Sequence, residues 1–356
     1  MGSRKTSSKM PPEPPPAALR LQIDRAALAG NWAALDRLSG QARAGAAVKA
    51  DAYGLGAAVA VPVLWAAGAR DFFVAHWLEV PDLLGTVPPA SISVLHGPLD
   101  AADAAYARAT GTKPVINSLH QAQLWLAAGG GLCDLMVDSG INRLGLPMDA
   151  LADEVIARLD VDLLMSHLAC ADEDVPLNEI QRQRWVQAKA QIRHRRSSLA
   201  NSAGIALGMA YHGELTRPGL SLYGGIPRTE LAEELRQVAF PEAAIMQVRQ
   251  LQAGDSVGYN STYTAAAAQR VGVVSIGYAD GYLRCWSGKG MLHSSGRPLP
   301  VLGRVSMDMT VIDLTAAPEL GEGDWVSLDY VLPQAAAASG LSQYELLTLL
   351  GRRFGR

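Results

Sequence analysis

The stretch from Ala47 to Ala57 reads Ala-Val-Lys-Ala-Asp-Ala-Tyr-Gly-Leu-Gly-Ala and places one lysine where an apolar run gives way to a glycine-containing loop. The run before it, residues 44–48, is small, apolar and uncharged, which is typical of a strand that is buried on both faces. A lysine at the end of such a strand is partly removed from water, and desolvation lowers the pKa of an amine. An isolated lysine of this kind is most often a surface cation at the start of a loop. Here the neighbouring polar and glycine residues favour a chemical role for Lys49 through a Schiff base.

Short apolar runs recur after this stretch, separated by Ala- and Leu-rich segments at helical spacing. Alternating strands and helices indicate a parallel sheet, and eight such units over about two hundred residues are what a closed (β/α)8 barrel requires. An open doubly wound sheet is the alternative, but the number of units and their total length favour the barrel. The eight predicted strands are residues 44–48, 72–75, 92–95, 113–116, 134–138, 163–168, 196–200 and 220–223.

A second domain is expected because 356 residues exceed the length over which one core usually keeps growing. After Gly224 and Gly225 the helical texture ends, and Val- and Thr-bearing runs with turn signals follow. Its predicted strands are residues 271–276, 299–302, 309–314 and 325–328, and Ser342 with Glu345 has the spacing of a capping box for a terminal helix. The predicted division is a disordered tail at 1–20, the barrel at 21–238 and a β-rich C-terminal domain at 239–356.

The barrel begins with two local signals. Residues 21–23 have the pattern of a short strand, and Asp24 is suited to cap a helix that carries Leu28, Trp32 and Leu35 on one face.

The composition argues against several classes of partner. A net charge of −3 with mixed signs gives no field suited to a nucleic acid. The proline-rich first twenty residues lack the apolar core of a signal peptide, and no run approaches the length of a membrane span. The three cysteines, Cys133, Cys170 and Cys285, fit neither a disulfide framework nor a zinc site, so no metal is expected. A cytoplasmic location is therefore expected.

Polar residues follow several of the predicted barrel strands, at the end where barrel enzymes place their chemistry. Each has an ordinary explanation on its own, such as a helix cap, a core histidine or a surface ion pair. Their common position at one face of the barrel indicates a single site. The residues concerned are Lys49, Asp138, Arg143, His167, Asn201, Ser202, Arg217 and Gly219.

The ten residues 48–57 resemble the pyridoxal-phosphate lysine motif of the alanine racemase family. The similarity extends over roughly residues 21–356 and includes segments 137–145, 257–265, 276–281 and 303–308. It implies pyridoxal 5'-phosphate as the cofactor on Lys49, and interconversion of L- and D-alanine as the activity. It also implies an isomerase that supplies D-alanine as a cell wall precursor.

The resemblance implies roles for the polar residues at the barrel mouth. Arg217 would face the pyridine nitrogen and keep it unprotonated, which suits proton exchange and disfavours transamination. His167 would lie beside the ring, and Arg143 would reach the cofactor hydroxyl and the substrate carboxylate. The predicted phosphate contacts are Tyr53, Asn201, Ser202, Gly219 and Leu220.

Racemisation by two bases requires a second base on the opposite face of the α-carbon from Lys49. The resemblance places this role on Tyr259, with Tyr278 and the backbone N–H of Met307 in the substrate pocket. A phenol needs cationic or hydrogen-bonding neighbours to act as a base at neutral pH, and His167 and Arg217 are the candidates. The resemblance further implies a homodimer in which the second domain of one subunit closes the barrel mouth of the other.

Three positions depart from the commonest family pattern, one of them being Asn260 with Ser261 in place of a smaller pair after Tyr259. Met136 stands where many members have a lysine that becomes carbamylated and orients the arginine matching Arg143, and Asn142 replaces a glycine. These departures raise a second possibility, a broad-specificity or serine racemase of the same fold. A non-catalytic pyridoxal-phosphate carrier would lack the β-rich domain and Tyr259. A decarboxylase on the same barrel would need a different lysine motif.

Overall fold

The computed structural model describes residues 15–351 and 353–355. The strands are β1 Leu19–Ile23, β2 Arg43–Ala44, β3 Ala46–Ala47, β4 Phe72–Val74, β5 Ile92–Val94, β6 Lys113–Ile116, β7 Leu132–Met136, β8 Asp160–Met165, β9 Arg196–Ser198, β10 Leu215–Thr216, β11 Ala239–Leu251, β12 Ser256–Val257, β13 Tyr263–Thr264, β14 Gln269–Val274, β15 Met291–Ser294, β16 Arg297–Leu302, β17 Thr310–Asp313 and β18 Trp325–Leu328. The helices are α1 Arg25–Leu38, α2 Lys49–Tyr53, α3 Ala57–Ala67, α4 Ala101–Thr110, α5 Leu119–Ala127, α6 Glu154–Ala157, α7 Pro176–Gln191, α8 Ser202–Ala206, α9 Leu332–Ser339 and α10 Gln343–Thr348.

The first part of the chain forms the predicted (β/α)8 barrel. Strands β3 to β9 make a parallel sheet in sequence order, and β2 pairs in parallel with β10. Backbone hydrogen bonds close the circle, because Arg217 N donates to the Ala200 carbonyl at 2.9 Å on one side. On the other side Ala47 N donates to the Pro218 carbonyl at 2.9 Å. With β2 and β3 counted as one strand interrupted at Gly45, the barrel has eight strands.

The predicted eighth strand, residues 220–223, is wrong. The closing strand is β10, Leu215–Thr216, while residues 220–223 form a 3₁₀ turn. This turn is apolar because it is buried against α1, where the side-chain amide of Asn31 donates to the Leu222 carbonyl at 3.1 Å. The sequence did not predict the closing strand, because a segment of two residues is too short to show a strand pattern.

Helix α1 has the cap and the buried face that the sequence predicts. The Asp24 carboxylate accepts a hydrogen bond from Ala27 N at 2.8 Å, which satisfies one of the free amides of the first turn. Leu28, Trp32 and Leu35 are all buried on the inner face of the helix. The predicted strand at 21–23 is also present, although it starts at Leu19. Strand β1 thus begins within the predicted tail, whose residues 1–14 lie outside the described part of the chain.

The second part of the chain is a β-rich domain, as expected. Its sheet has the order β1-β11-β14-β17-β16-β15-β18, and β18 also pairs with β11, so that the ring of strands closes. The four predicted strands correspond to β14, β16, β17 and β18. The first three have shifted ends, and β18 has the predicted ends. Strand β1 pairs with β11 and so joins this second sheet, because burial of Leu19 and Leu21 requires a partner face.

Strand β11, Ala239–Leu251, begins directly after the predicted boundary at residue 238. Its outer half is largely exposed, so that it lacks the regular alternation by which a strand is recognised in sequence. The terminal helix α10 has the predicted capping box, with Ser342 Oγ accepting from Glu345 N at 3.2 Å. Within the described residues, no helix combines the length and apolar character needed to cross a bilayer.

Candidate active site

A cavity of about 630 Å³ lies at the C-terminal end of the barrel strands, within the usual size range of small-molecule sites. Most of the residues predicted to form the site line it. These are Lys49, Tyr53, Arg143, His167, Asn201, Ser202, Arg217, Gly219 and Leu220. The cavity wall also includes Phe73, Leu95, His96, Met136 and Tyr344.

Lys49 lies at the start of a left-handed helical turn and lines the cavity. Ala50, Asp51, Ala52 and Tyr53 all have φ between 52° and 56°, which makes this segment a left-handed helical turn directly after β3. Each such residue costs roughly 1–2 kcal/mol relative to the right-handed form. Strain of this kind persists only where the surroundings over-determine the backbone, and it is concentrated at functional sites.

Glu79 holds the left-handed turn in place. Its carboxylate accepts a hydrogen bond from Ala50 N at 2.5 Å and another from Ala75 N at 2.6 Å, which ties the turn after β3 to the loop after β4. Sequence reasoning missed Glu79, because nothing in its local pattern distinguishes it from a surface glutamate.

The electrostatic environment of Lys49 favours the neutral amine. Burial lowers the pKa of Lys49 most, and the positive charges of Arg143 and Arg217 lower it further, while Glu79 opposes the change. A lowered pKa is what a lysine needs in order to act as a nucleophile or base near neutral pH.

Arg217 is the most deeply buried cation of the site, with 7% of its surface exposed. Its guanidinium donates to the Ser166 carbonyl at 2.5 Å and to the Ser198 hydroxyl. Burial lowers the pKa of Arg217 to about 10, so that the group keeps its charge at neutral pH. The barrel therefore presents a fixed positive charge at this wall of the cavity.

His167 follows β8 and faces the same cations. Burial lowers the pKa of His167 to about 3, with further lowering from Arg217, Arg143 and Lys49. The imidazole is therefore neutral throughout the range in which enzymes normally work.

This depressed pKa of His167 predicts loss of stability in acid. Below about pH 6.5 the unfolded chain protonates the histidine and the folded chain does not, so stability falls as the pH falls towards 3. Between pH 7 and pH 5 the histidine should cost about 1 to 2 kcal/mol of unfolding free energy. Urea unfolding of the cofactor-free protein should show this loss of unfolding free energy between pH 7 and pH 5, and urea unfolding of cofactor-free His167→Gln should not. Equal pH dependence of the two proteins would contradict the prediction.

The loops after β9 and β10 meet through one buried hydroxyl. Ser202 Oγ accepts hydrogen bonds from Gly219 N at 3.0 Å and from Ser221 N at 3.2 Å. Asn201 caps α8 through a hydrogen bond from Gly204 N at 2.9 Å. These amides and the serine hydroxyl form a polar corner that is suited to an anion.

Tyr53 completes this corner from the left-handed turn. Its ring lies 4.9 Å from the ring of Tyr223, and a Cβ at Gly219 would come within 2.2 Å of the Tyr53 hydroxyl. Glycine at 219 is therefore what allows the phenol to approach the loop after β10. Burial raises the pKa of Tyr53, so that the phenol is a hydrogen-bond donor.

Arg143 lies at the tip of the loop after β7. Asn142 before it has φ of 53°, so that asparagine adopts here the left-handed conformation that usually calls for glycine. Met136, the last residue of β7, also lines the cavity, and its thioether sulfur is only a weak hydrogen-bond acceptor. Within the described chain, no hydrogen bond or ion pair is found on the Arg143 guanidinium.

The three predicted residues of the second domain lie away from this cavity. Tyr259 is 63% exposed and Met307 is 52% exposed. The structure brings the Tyr278 and Met307 segments together, since Tyr278 N donates to the Ser306 carbonyl at 3.0 Å. Among the described residues that line the barrel cavity, none comes from the segments that carry Tyr259, Tyr278 or Met307.

Tyr344 is a cavity residue that sequence reasoning missed. It lies on α10 of the second domain, and its ring is 6.3 Å from that of Tyr53. Burial raises the pKa of Tyr344, and the nearby Asp172 raises it further. The capping box located α10 correctly, but its packing against α2 depends on tertiary structure that the pattern does not contain.

Comparison with known proteins identifies the family. Residues 23–227 match the model of "Alanine racemase, N-terminal domain" and residues 238–356 match that of "Alanine racemase, C-terminal domain". The biosynthetic alanine racemase of Agrobacterium fabrum is 42% identical over 96% of this chain and 93% of its own length. The alanine racemase of Rhizobium meliloti is 41% identical over 96% of both chains.

Solved structures agree with the sequence comparison. The alanine racemase of Bartonella henselae, described with covalently bound pyridoxal phosphate, superposes with a TM-score of 0.89 at 32% identity, covering 96% of this chain and 99% of its own. The biosynthetic enzyme of Pseudomonas aeruginosa gives 0.84 at 34% identity, with 95% and 98% coverage. The chain therefore belongs to the alanine racemase family.

Proposed function

We propose that this protein interconverts L-alanine and D-alanine with pyridoxal 5'-phosphate as cofactor, and that Lys49 and Tyr259 are the two bases. The observation that carries the proposal is the placement of Lys49, with its lowered pKa, in a barrel cavity beside the buried charge of Arg217. A supply of D-alanine for cell wall precursors is the corresponding biological role.

The residues of the cavity fit the cofactor. Ser202, Tyr53 and the amides of Gly219 and Leu220 would hold its phosphate, with Asn201 fixing the loop. Arg217 and His167 would lie against its ring. When bound, pyridoxal phosphate withdraws electrons from the substrate α-carbon and so acidifies the proton there.

Lys49 carries the proton on one face of the α-carbon. Because its pKa is lowered, the neutral amine is available to accept that proton, and the resulting ammonium can return it. Burial, together with Arg143 and Arg217, disfavours a lasting positive charge on Lys49, which favours return of the proton.

Arg217 and neutral His167 restrict the reaction to proton exchange. Arg217 stays charged at neutral pH, and a fixed cation disfavours protonation of a neighbouring pyridine nitrogen. The neutral imidazole of His167 adds no competing acid near the α-carbon. Side reactions that need a stronger electron sink are thereby disfavoured.

Tyr259 is assigned as the base on the opposite face, supplied by a second subunit. Its exposure of 63% and its absence from the cavity lining of its own chain support a shared site in a homodimer. Tyr278 and the backbone N–H of Met307 would enter with it and contact the substrate. Arg143, on the barrel side, would bind the substrate carboxylate.

The domain division and the location are part of the same proposal. The barrel comprises residues 21–238 and the C-terminal domain residues 239–356, with β1 crossing into the second sheet. We place the enzyme in the cytoplasm, which the three unpaired cysteines support.

The test is a circular-dichroism assay of the protein reconstituted with pyridoxal phosphate. Solutions of L-alanine and of D-alanine should both decay to zero optical activity, and no decay of either would contradict the proposal. Rates with serine, lysine and arginine examine the second candidate, a broader substrate range. That candidate is favoured by Met136, which leaves the Arg143 guanidinium without support in the cavity wall.

A further inference from the structure

Gln181 on α7 is fully buried, with 0% of its surface exposed, and it contacts the exits of two barrel strands. Its side-chain oxygen accepts a hydrogen bond from Ala169 N at 2.8 Å, and its nitrogen donates to the His167 carbonyl at 3.0 Å. The same nitrogen donates to Ser139 Oγ at 3.3 Å. One amide therefore joins the loop after β7 to the loop after β8.

The network continues to the buried arginine of the site. Ser139 Oγ lies 2.7 Å from Ser166 Oγ, and both serines are fully buried. Because Ser139 Oγ accepts from Gln181, its own proton is available for Ser166. The Ser166 carbonyl in turn accepts from the Arg217 guanidinium at 2.5 Å.

The loop that carries Arg143 is fixed at its base by the same contacts. Asp138 N donates to the Leu146 carbonyl at 2.9 Å, which closes the loop, and the Asp138 carboxylate accepts from Gly140 N at 2.8 Å. Ser139 follows Asp138, and its carbonyl accepts from Arg184 on α7 at 3.1 Å. Helix α7 thus anchors the base of the loop from outside the barrel.

The tip of this loop has no comparable support. Within the described residues, the Arg143 guanidinium has no hydrogen-bond or ion-pair partner, and the thioether of Met136 in the cavity wall supplies none. The position from which Arg143 reaches the cavity therefore depends on the conformation of its loop.

We propose that Gln181 is a positioning residue that sets the carboxylate-binding geometry of the site. It does so by holding the base of the loop that carries Arg143 against the loop after β8, which carries His167. This inference rests on the proposed function of the cavity. The amide does not line the cavity, and it acts through Ser139 and the backbone of His167. Its loss should impair binding of a carboxylate more than the turnover of substrate already bound.

The test compares Gln181→Met with Asn178→Leu in the holoenzyme. Asn178 is a matched control because it is a buried amide on the same helix, with 4% exposure, and its donated hydrogen bond goes to the Glu173 carbonyl, away from the cavity. Both substitutions fill the space with an apolar chain and should lower the melting temperature. The dissociation constant of propionate, the alanine skeleton without its amine, is measured by calorimetry, together with KM and kcat for both alanine enantiomers.

Gln181→Met should raise the propionate dissociation constant and the alanine KM by roughly tenfold and reduce kcat by less, since small displacements of a positioning group are costly. Asn178→Leu should leave both constants within about twofold of the parental values. Ser139→Ala removes the bridging hydroxyl with little change of shape and should raise both constants by about threefold, so it serves if Gln181→Met does not fold.

Parental constants in Gln181→Met, or in Ser139→Ala where the former does not fold, would overturn the inference and leave the proposed function standing. Equal losses in Gln181→Met and Asn178→Leu would also overturn it, because a general destabilisation of α7 would then suffice. A parental holoenzyme that neither racemises alanine nor binds propionate would overturn the proposed function and this inference together.

Discussion

Lys49→Ala is expected to abolish racemisation, with a fall in kcat of at least about a thousandfold, because the substitution removes the proposed attachment point for the cofactor and one of the two proposed bases. The assay is the decay of optical activity of L- and D-alanine, with cofactor retention followed by absorbance. Lys289→Ala is a matched control, because Lys289 is exposed on the second domain and does not line the cavity.

The physical reason for this large effect lies in the site around Lys49. The lysine leaves the barrel on a left-handed turn held by Glu79, and burial, followed by the charges of Arg143 and Arg217, lowers its pKa. No other described lysine lines the cavity, so that no neighbouring amine can replace it. A small added amine such as methylamine should restore part of the proton transfer. Parental racemisation by Lys49→Ala without added amine would refute its assigned role.

Tyr259→Phe is expected to abolish net racemisation while retaining α-proton exchange in one enantiomer. Because the two enantiomers have equal free energy, net conversion must fall equally in both directions when one of two bases is lost. Lys49 can still remove and return a proton on its own face, so one enantiomer should exchange its α-proton with solvent and keep its configuration. The expected fall in net racemisation is about a hundredfold or more.

This experiment is carried out in D2O, with deuterium incorporation into each enantiomer followed by mass spectrometry after chiral separation. Tyr263→Phe is the matched control, because Tyr263 lies on the adjoining strand and its hydroxyl donates to Gln269 at 2.6 Å. The control should racemise at close to the parental rate. Equal residual exchange in both enantiomers of Tyr259→Phe would count against a base on the face opposite Lys49.

The sequence was most informative about features that depend on residues close together along the chain. The segment around Lys49 predicted a buried strand that gives way to a loop, and the first seven apolar runs predicted barrel strands that the structure contains. The capping box of Ser342 and Glu345 located α10 for the same reason, since both partners lie within one turn. Features of this kind depend on neighbours in sequence and can be read without the fold.

Features that depend on closure could not be predicted in this way. Strand β10 has only two residues and is defined by hydrogen bonds to β2, some 170 residues earlier. Glu79 and Tyr344 reach the site through loop geometry and helix packing, and neither lies in a recognisable motif. The buried glutamine Gln181 belongs to the same class, because its partners come from two other elements.

The proposed second base is the feature that is hardest to locate from one chain. Tyr259 lies in a segment with resemblance to a known motif, yet its side chain is exposed and does not line the cavity of its own subunit. The proposal of a shared site reconciles these observations, because the exposed tyrosine would be covered by the barrel of a partner. It makes a prediction that neither single substitution can test.

Complementation between inactive subunits provides that test. Lys49→Ala and Tyr259→Phe chains carrying different affinity tags are co-expressed. Activity is measured for the unseparated mixture, and then for the mixed dimer and each variant homodimer after separation by their tags. If each site combines Lys49 of one subunit with Tyr259 of the other, a mixed dimer contains one intact site. With random pairing, the unseparated mixture should have about a quarter of the parental activity, since half of the dimers are mixed and each mixed dimer has one working site of two. Mixed dimers with no activity above that of the two single variants would contradict the shared two-base site.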